Sequence, residues 1–444
     1  MTANKRQPSI ALIGAGSRVF GFNMCSDICQ TAALKGADIR LIDTDKERLD
    51  TTCRLFKLVS DRTGWGLKIS SSQNRVDLLP DVDFAIISVA EERIERWDMD
   101  LAISKKHGII EVQGEGGGPG GLSLTLRNIP LVVGIARDIK RLAPKAVILN
   151  FTNPMTRVCH ALNRYAGLPT IGLCHGLLGA QRKLSNLLGR PITVQSCGIN
   201  HCTWLFDAVW ADTEENIWEK TISAFMQKEL GGYKYAQELA AIFGRIPVPD
   251  DVHITDFLPH WRDNENGLLP RYGLSPKNMA KYHKKEEEWK NRLTRYFLGE
   301  TNPVDDMHGL SGEGAIPIIC TMAGLTPPYK EIAVNIPNEG YITNLPDGSL
   351  VEIPAVIEPH KIKGQSMGAL PGGIASILRR QLDIAELAVE AAMEGSYQKA
   401  LQALALDPII PDLQIARNYL DDILDAHRPL LPQFNSGKIT ASKV

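Results

Sequence analysis

A short apolar strand that runs directly into a glycine-rich turn is the feature that most constrains the fold. The strand candidate Ser9–Ile13 is followed at once by Gly14-Ala15-Gly16-Ser17 and then by a helix-like run. Glycines at these places let the backbone turn tightly and approach a pyrophosphate, which then meets the N-terminus of the helix. Val19 replaces the third glycine of the usual pattern. The loop predicts a dinucleotide site that uses Gly14, Gly16 and Ser17, the alternative being a glycine-rich turn without a cofactor.

Strand and helix candidates alternate over the first 190 residues, which predicts a Rossmann-type, doubly wound parallel sheet. The strands are expected at Ser9–Ile13, Ile39–Ile42, Phe84–Val89, Ile109–Val112, Ala146–Phe151 and Thr170–Leu173. The helices are expected at Lys46–Ser60, Leu124–Leu142 and Met155–Tyr165. Residues 1–190 are therefore interpreted as an α/β nucleotide-binding domain.

The pattern changes after Arg190, and residues 191–435 are predicted to form an α+β domain for substrate binding and oligomerisation. Antiparallel alternation is expected within Thr193–Val209, and β-like runs occur at Glu331–Val334 and Glu352–Ile357 with a turn at Asp347-Gly348. Helices are expected within Glu214–Leu239, Lys277–Tyr296, Ile374–Gly395 and Asp412–Leu424. Residues 436–444 are expected to be a frayed tail.

Charge and cysteine usage narrow the class of protein. The net charge of −2 over 444 residues gives no reason to expect a nucleic acid or an anionic membrane as a partner. No apolar run approaches the roughly 18 residues of a membrane span. The eight cysteines have no framework spacing, so they are predicted to be mostly reduced thiols in the cytoplasm.

Polar residues at predicted strand ends complete the expected nucleotide site. Asp43 ends the second strand, where a carboxylate would bind a ribose diol and repel a 2′-phosphate. Asn150 is assigned to the cofactor at the end of a later strand, and Asn153 lies just beyond it. We therefore expect NAD rather than NADP.

Cys174 and His201 are the candidate metal ligands. Cys174 follows a predicted parallel strand, where open α/β sheets bind their ligands, and His201 closes Gly198-Ile199-Asn200-His201. Thiolate and imidazole suit a borderline divalent ion, and two protein ligands leave coordination positions free for a substrate. Taken singly, each residue also fits a buried structural role.

Two acidic residues are candidates for proton transfer. Glu115 stands among glycines in the segment 113–121, which is typical of a loop that passes close to a ligand, or of a mobile surface loop. Asp251 stands in Asp250-Asp251-Val252-His253, where a solvated loop or a helix cap is the alternative.

Taken together, these segments resemble family four of the glycoside hydrolases, the NAD- and metal-dependent glycosidases related in fold to lactate and malate dehydrogenases. The resemblance rests on the order of Gly14-Ala15-Gly16-Ser17, Glu115 with Gly118-Pro119-Gly120-Gly121, Asn153-Pro154-Met155, Cys174-His175, Gly198-Ile199-Asn200-His201, Asp251-Val252-His253 and Ser311-Gly312-Glu313. It spans Ile10 to about Pro354. Each motif is weak alone, and the combination is specific.

The resemblance implies glycoside cleavage by oxidation, elimination, water addition and reduction, in contrast to the two-carboxylate mechanism of ordinary glycosidases. NAD would take a hydride from C3 of the sugar, the proton on C2 would become acidic, and a divalent ion, expected to be manganese, would stabilise the enediolate as a Lewis acid. NADH would return the hydride, so the cycle would be redox-neutral.

The same resemblance implies roles for individual residues. Cys174 and His201 match the metal ligands, and Asn153 matches a residue that hydrogen-bonds sugar hydroxyls, with His175 and Asn200 as further substrate-binding candidates. Glu115 matches a leaving-group acid and Asp251 an acid implicated in proton transfer at C2 or C3. The tyrosine that some branches use as the C2 base has no identified counterpart here. A homodimer or homotetramer is expected.

The residue that follows Cys174-His175 bears on the sugar that the chain would bind. Gly176 follows Cys174-His175, which looks most like the branch acting on α-linked uronic acids, α-galacturonides or α-glucuronides. A uronate carboxylate needs a basic or amide partner, for which Arg271, His260 and His175 are candidates. The alternatives are a neutral α-glucoside or α-galactoside, a 6-phospho-α-glucoside or, in another class, the substrate of a plain NAD-dependent hydroxyacid or sugar dehydrogenase. A non-catalytic nucleotide sensor is a further alternative.

Overall fold

A computed structural model describes residues 6–258 and 268–434, and its backbone is organised around one large mixed sheet. The strands are β1 (Ser9–Ile13), β2 (Asp38–Ile42), β3 (Lys68–Ser72), β4 (Phe84–Ile87), β5 (Val147–Asn150), β6 (Thr170–Gly172), β7 (Ile192–Ile199), β8 (Cys202–Trp210), β9 (Ile246–Val248), β10 (Tyr329–Pro337), β11 (Leu350–Glu358) and β12 (Lys361–Gly364). Their spatial order is β3-β2-β1-β4-β5-β6-β10-β11-β7-β8-β9, with β12 paired to β11.

The first six strands are parallel and form the predicted Rossmann-type half. Five of the six predicted strands are confirmed, each within about two residues of its expected bounds. The prediction for Ile109–Val112 is wrong: this run is irregular, and the Val112 carbonyl accepts from the Lys277 amide instead of joining a strand. β3 was not predicted because its sequence, Lys-Ile-Ser-Ser-Ser, is that of a polar edge strand without an apolar signal.

Antiparallel strands continue the same sheet beyond β6. β10 pairs with β6 and β11, β11 pairs with β7, and β7 and β8 form the hairpin expected within Thr193–Val209. The β-like runs at 331–334 and 352–357 and the turn at Gly348 are likewise confirmed. The sheet therefore passes without interruption from the parallel half into the antiparallel half, and a boundary at residue 190 stays a prediction.

Helices cover both faces of the sheet. In the first half they are α1 (Arg18–Gln30), α2 (Lys46–Thr63), α3 (Arg75–Leu78), α4 (Arg93–Lys106), α5 (Gly118–Leu142), α6 (Met155–Ala166) and α7 (Gly176–Leu188). In the second half they are α8 (Trp218–Gln227), α9 (Lys234–Phe243), α10 (Asp251–Ile254), α11 (Leu268–Tyr272), α12 (Met279–Leu298), α13 (Ala315–Met322), α14 (Gly372–Glu394), α15 (Tyr397–Leu406) and α16 (Leu413–Ala426). α5 begins inside the glycine-rich segment, six residues earlier than predicted.

The last three helices return to the parallel half. α14 packs against α5 and α6, α15 against α5, and α16 against α4, so the C-terminal region closes one of the two main cores. The tail predicted for 436–444 lies outside the described residues. All eight cysteines are free thiols. Among the described helices, none combines the length and the hydropathy of a membrane span.

Candidate active site

The glycine-rich turn after β1 has the geometry of a phosphate cradle. Gly14 has φ of +86°, and a Cβ there would lie 2.0 Å from the Ser88 carbonyl oxygen. Only glycine fits this position, since the backbone conformation and the close approach both exclude a side chain. Ser17 is the N-cap of α1 and its side chain makes no capping hydrogen bond. The first amides of the helix are therefore left for another acceptor, as a pyrophosphate site requires.

Asp43 closes the same loop from the end of β2. Its Oδ2 accepts a hydrogen bond from the Gly16 amide at 2.7 Å, and its Oδ1 accepts from the Asp45 amide at 2.9 Å. The carboxylate is thus fixed beside the turn, where the ribose of a bound dinucleotide is expected.

Asn150 does not face the crevice. It is fully buried, its Nδ2 donates to the Thr152 carbonyl at 2.9 Å, and its Oδ1 accepts from the Thr152 amide at 3.2 Å. The side chain stabilises the turn between β5 and α6, so its assignment to the cofactor is wrong for the side chain.

Cys174 and His201 meet beyond the carboxyl end of β6. The Cys174 Sγ and the His201 Nε2 are 3.5 Å apart. His201 lies in the tight turn between β7 and β8 with φ of +65°, a left-handed conformation that directs the chain into the hairpin. The sequence distance of 27 residues is closed because β6 and β7 both border the pair β10–β11.

A buried polar network supports the pair from behind. Glu352 Oε2 accepts from Asn200 Nδ2 at 2.7 Å and from Asn335 Nδ2 at 3.0 Å. Asn200 also hydrogen-bonds the Cys174 thiol. Because Asn200 is 4% exposed and engaged on both sides, it positions the cysteine and is not available to a sugar, which corrects its assignment to substrate binding.

The pair is electrically neutral in the absence of a cation. Burial, reinforced by the Glu352 carboxylate, raises the pKa of Cys174 to about 11. Burial lowers the pKa of His201 below its ordinary value, and its Nδ1 is buried without a hydrogen-bond partner among the described residues. Without a metal, the Cys174 thiol therefore keeps its proton and the His201 imidazole is neutral. A metal that binds the sulfur must displace the thiol proton.

The two donors fit one divalent ion. Metal–sulfur and metal–nitrogen bonds of about 2.3 and about 2.1 Å place two donors of the same ion about 3.1–3.6 Å apart, and the observed separation is 3.5 Å. Within the described ranges no group of three or more His, Cys, Asp or Glu residues could hold a metal. An ion bound by the Cys174 and His201 pair alone would keep coordination positions for a substrate.

Carboxylates beneath the glycine-rich segment hold Glu115 in place. Asp256 accepts hydrogen bonds from the amides of Gly114, Glu115 and Gly116 at 3.0, 3.2 and 3.1 Å. Glu111 accepts from the Gly120 amide at 3.0 Å. The segment is buried and anchored, so the alternative of a mobile surface loop is wrong.

The side chain of Glu115 is ionised and paired. Its Oε1 lies 2.9 Å from the Arg93 Nη2, and its Oε2 accepts from the Gln113 Nε2 at 2.7 Å. Burial by itself would raise the pKa of Glu115, but the cations Arg93 and Lys277, together with the nearby His201 and the hydrogen bond from Gln113, outweigh it and lower the pKa to about 2. The carboxylate therefore lies within electrostatic range of the metal pair on one side and of two cations on the other.

Asp251 is not part of this arrangement. It is fully buried, and its two oxygens accept from the amides of Tyr235 and Ala236 at 3.0 and 2.8 Å. The carboxylate caps the first turn of α9, a structural role within the buried interior. The proton-transfer role implied by the family motif is therefore not supported at this residue.

The neighbouring residues Asp250 and His253 form a hydrogen-bonded pair, and this pair, not Asp251, lies beside Cys174 and His201. Asp250 Oδ1 lies 2.6 Å from His253 Nδ1, and the rings of His253 and His201 meet edge to face with centroids 4.5 Å apart. Because the carboxylate accepts the Nδ1 proton, Nε2 is the atom left to accept a proton. Burial lowers the pKa of His253, which keeps this imidazole neutral near pH 7.

The remaining predicted substrate residues differ in their access to solvent. Asn153 is half-buried at the start of α6. The His175 side chain is 71% exposed, and its Nδ1 lies 3.6 Å from Glu313 Oε2, which raises its pKa. Arg271 is paired with Glu238 through a hydrogen bond at 2.5 Å, and His260 lies outside the described residues.

Several functional residues carried no motif. Arg93 and Asp256 are ordinary charged residues in the sequence, and their contacts with residues 22 and 140 or more positions away come only from the fold. Glu352 offered one signal, since it is a carboxylate inside the apolar strand run Leu350–Ile357. A charge at a core-facing strand position points to a buried partner.

Fold and site together define a class: a Rossmann-type α/β enzyme with a thiolate–imidazole pair at the carboxyl edge of its sheet. The family is shown by comparison with known proteins. Residues 9–190 match the family 4 glycosyl hydrolases, and residues 196–410 match the family 4 glycosyl hydrolase C-terminal domain. The chain belongs to family 4 of the glycosyl hydrolases and is a glycosidase.

Relatives with different sugar names match at nearly equal identity. The chain is 28% identical to the α-glucosidase of Erwinia rhapontici, covering 95% of this chain and 98% of that protein. It is 27% identical to the α-galacturonidase of Thermoanaerobacterium saccharolyticum, covering 94% and 95%. Identity alone therefore does not select the sugar.

A solved structure matches the fold over almost its whole length. A 6-phospho-α-glucosidase from gut microorganisms in complex with NAD and Mn²⁺ has a TM-score of 0.83 at 22% identity, covering 96% of this chain and 100% of that chain. The predicted fold class is confirmed.

Proposed function

We propose that the protein hydrolyses α-glycosides of uronic acids, α-galacturonides or α-glucuronides, with NAD and a divalent ion, manganese by expectation. The observation that carries the proposal is the open donor pair, Cys174 Sγ and His201 Nε2 at 3.5 Å, in a chain of family 4. A neighbour of the same fold was crystallised with NAD and Mn²⁺.

Two sets of residues would bind the two groups, NAD and the divalent ion. Gly14, Gly16, Ser17 and Asp43 bind NAD around its pyrophosphate and ribose, and Cys174 with His201 binds the ion. When bound, NAD supplies a reversible hydride acceptor at C3 of the sugar and the ion supplies Lewis acidity at the adjacent oxygens.

Three further side chains act on the sugar. Asn153 hydrogen-bonds its hydroxyls near the ion. Glu115 is the proton donor to the leaving oxygen. Because it is ionised in the free site, it must first take up that proton, and a negatively charged substrate beside it favours this uptake by raising its pKa. His253, with Nδ1 held by Asp250, accepts the C2 proton at Nε2, the role that the family motif had suggested for Asp251.

The uronide is favoured by positive charge close to the donor pair. Arg93 and Lys277 both act on the single carboxylate of Glu115, which also lies within electrostatic range of His201. Gly176 leaves no room for a side chain without displacement, because a Cβ would lie 3.1 and 3.2 Å from the Cβ and Cγ of Pro249. Relatives named α-galacturonidase at 27% identity are in keeping with this substrate.

A neutral α-glucoside or α-galactoside is the second candidate. Relatives named α-glucosidase and α-galactosidase match this chain at 28% identity, over 95% and 96% of its length. A 6-phosphoglycoside is a third, since relatives with such names match at 28% and 24% identity.

A panel of nitrophenyl α-uronides, neutral α-glycosides and 6-phosphoglycosides, assayed with NAD, Mn²⁺ and a reductant, tests the proposal. We expect kcat/KM to be highest for a uronide and NADH absorbance to stay flat during turnover. Turnover in deuterated water should place deuterium at C2, and His253→Gln should abolish this exchange. Steady NADH accumulation while the glycoside persists would instead establish a dehydrogenase.

A further inference from the structure

Two cationic side chains lie close to the single buried carboxylate of Glu115. Arg93 binds it directly, with Nη2 at 2.9 Å from Oε1, and Lys277 lies within electrostatic range. The Lys277 ammonium is not itself salt-bridged: in residues 6–258 and 268–434 no carboxylate oxygen lies within 4.0 Å of it. Two cations therefore share one anion at the edge of the crevice.

Aromatic side chains hold the lysine in position. Its Nζ lies 4.8 Å from the ring centroid of Trp97 and 5.4 Å from that of Tyr282, and its amide donates to the Val112 carbonyl at 3.1 Å. The Arg93 guanidinium lies 5.6 Å from the Trp97 ring. Trp97 in turn donates from Nε1 to the Gln113 carbonyl at 2.8 Å. Both cations are thus fixed to the segment that carries Glu115.

The other cations that the sequence offered to a substrate carboxylate are already neutralised. Arg271 is bound to Glu238, and His175 faces Glu313. The Arg93 guanidinium keeps 57% of its side-chain surface exposed although it binds Glu115, so it can accept a second carboxylate. A guanidinium has five donors and can serve two anions at once.

The chemistry of a pyranose places a uronate carboxylate on this side. C1 and C5 are both bonded to the ring oxygen, whereas C2 and C3 are not, and C3 lies opposite that oxygen. A sugar that presents its C2 and C3 oxygens to Cys174 and His201, and its leaving oxygen to Glu115, turns its C5 substituent toward the neighbours of Glu115. Those neighbours are Arg93 and Lys277.

We propose that Arg93 and Lys277 form the subsite that binds the carboxylate of a uronide. The inference rests on the proposed function, since it names the residues that would select the uronide within it. The two-point contact, with Arg93 as hydrogen-bond donor and Lys277 as a charge held by Trp97, discriminates against neutral sugars because a hydroxymethyl group cannot use either charge.

The test compares inhibition constants of a free uronic acid and the matching neutral hexose, measured against nitrophenyl substrate with NAD and Mn²⁺ present. Inhibitor binding needs no leaving-group proton, so it separates this subsite from the role of Glu115. We expect Arg93→Gln and Lys277→Gln each to raise the Ki of the uronic acid about 10- to 100-fold and to change that of the hexose less than about threefold. Arg182→Gln, which removes an exposed cation of α7, is the matched control and should change neither.

The outcomes separate the two proposals. An equal rise for acid and hexose would assign Arg93 to the positioning of Glu115 alone and overturn the subsite. A selective loss in Arg182→Gln would move the subsite to α7 and overturn it as well. Wild-type enzyme that cleaves neutral glycosides and neither cleaves uronides nor binds uronic acids would refute the proposed substrate. Where the wild type prefers uronides and both variants keep that preference, only the subsite fails.

Discussion

Binding of the divalent ion should release one proton, and the affinity should depend on pH accordingly. Burial raises the pKa of Cys174 to about 11, so at pH 7 only about one molecule in 10⁴ carries the thiolate that a metal requires. The apparent binding constant should therefore rise about tenfold for each pH unit between pH 6.5 and 8.5. Removal of the thiol proton from Cys174 therefore costs about 5 kcal/mol of the binding free energy at pH 7.

His201 adds no second proton in this range. Burial lowers its pKa below the ordinary value, so most of the imidazole is already neutral in this range. The slope of log K against pH should thus be close to one. A slope close to two would mean that both donors titrate, and a slope near zero would mean that the thiol is not a ligand.

Isothermal titration calorimetry with Mn²⁺ in buffers of different ionisation enthalpy measures the affinity and the number of protons released on binding. The number of protons released should be close to one in the wild type. Cys174→Ser should lose the proton release together with most of the affinity. Cys53→Ser, which changes a buried thiol of α2, should keep both. Proton release near zero in the wild type would refute the reasoning.

Three further changes test separate parts of the site. Gly14→Ala should weaken NAD binding at least about 100-fold in a fluorescence titration, because its Cβ would lie 2.0 Å from the Ser88 oxygen. Gly36→Ala is the control, since Gly36 has a similar φ of +78° and its Cβ would meet no atom within 4 Å. Asp251→Asn should lower the free energy of unfolding by about 1 kcal/mol and change kcat less than about threefold, since the carboxylate caps α9; a 100-fold loss of kcat at unchanged stability would restore its catalytic role. Burial raises the pKa of Glu111 to about 8, above an unfolded value of about 4.3, so folding takes up a proton and stability falls as the pH rises between these values. Glu111→Gln should flatten this fall, by up to about 1.4 kcal/mol per pH unit in urea unfolding at pH 6 and 8; an unchanged slope would contradict it.

Patterns with a local physical cause could be predicted from the sequence. The glycine turn after β1 and the hairpin that carries His201 follow from residues adjacent in the chain. Cys174 could be placed because parallel strands end at one edge of a sheet, so a residue just after β6 had to face the crevice. These placements need no knowledge of distant contacts.

Side-chain direction could not be predicted in the same way. Asp250 and Asp251 are adjacent acids, and the sequence does not tell which one caps α9 and which one reaches His253. Asn150 and Asn200 looked like ligand contacts because they stand beside ligand-binding residues, yet both are engaged by buried partners. One-residue differences in direction decide such roles, and they depend on packing across the whole sheet.

The glycine-rich segment shows why composition alone would have misplaced the anion site. A run of glycines that leads into a helix resembles a phosphate cradle, in which free amides point at the ligand. Here the amides already donate hydrogen bonds to buried acidic side chains. Those of residues 114–116 donate to Asp256, that of Gly118 donates to Asp407, and that of Gly120 donates to Glu111. The segment is therefore a platform that positions Glu115, and it has no amides left at these positions for a substrate anion. Under the proposed function, recognition of a negatively charged sugar would then come from side chains, and Arg93 and Lys277, which both act on Glu115, are the cations that we propose for it.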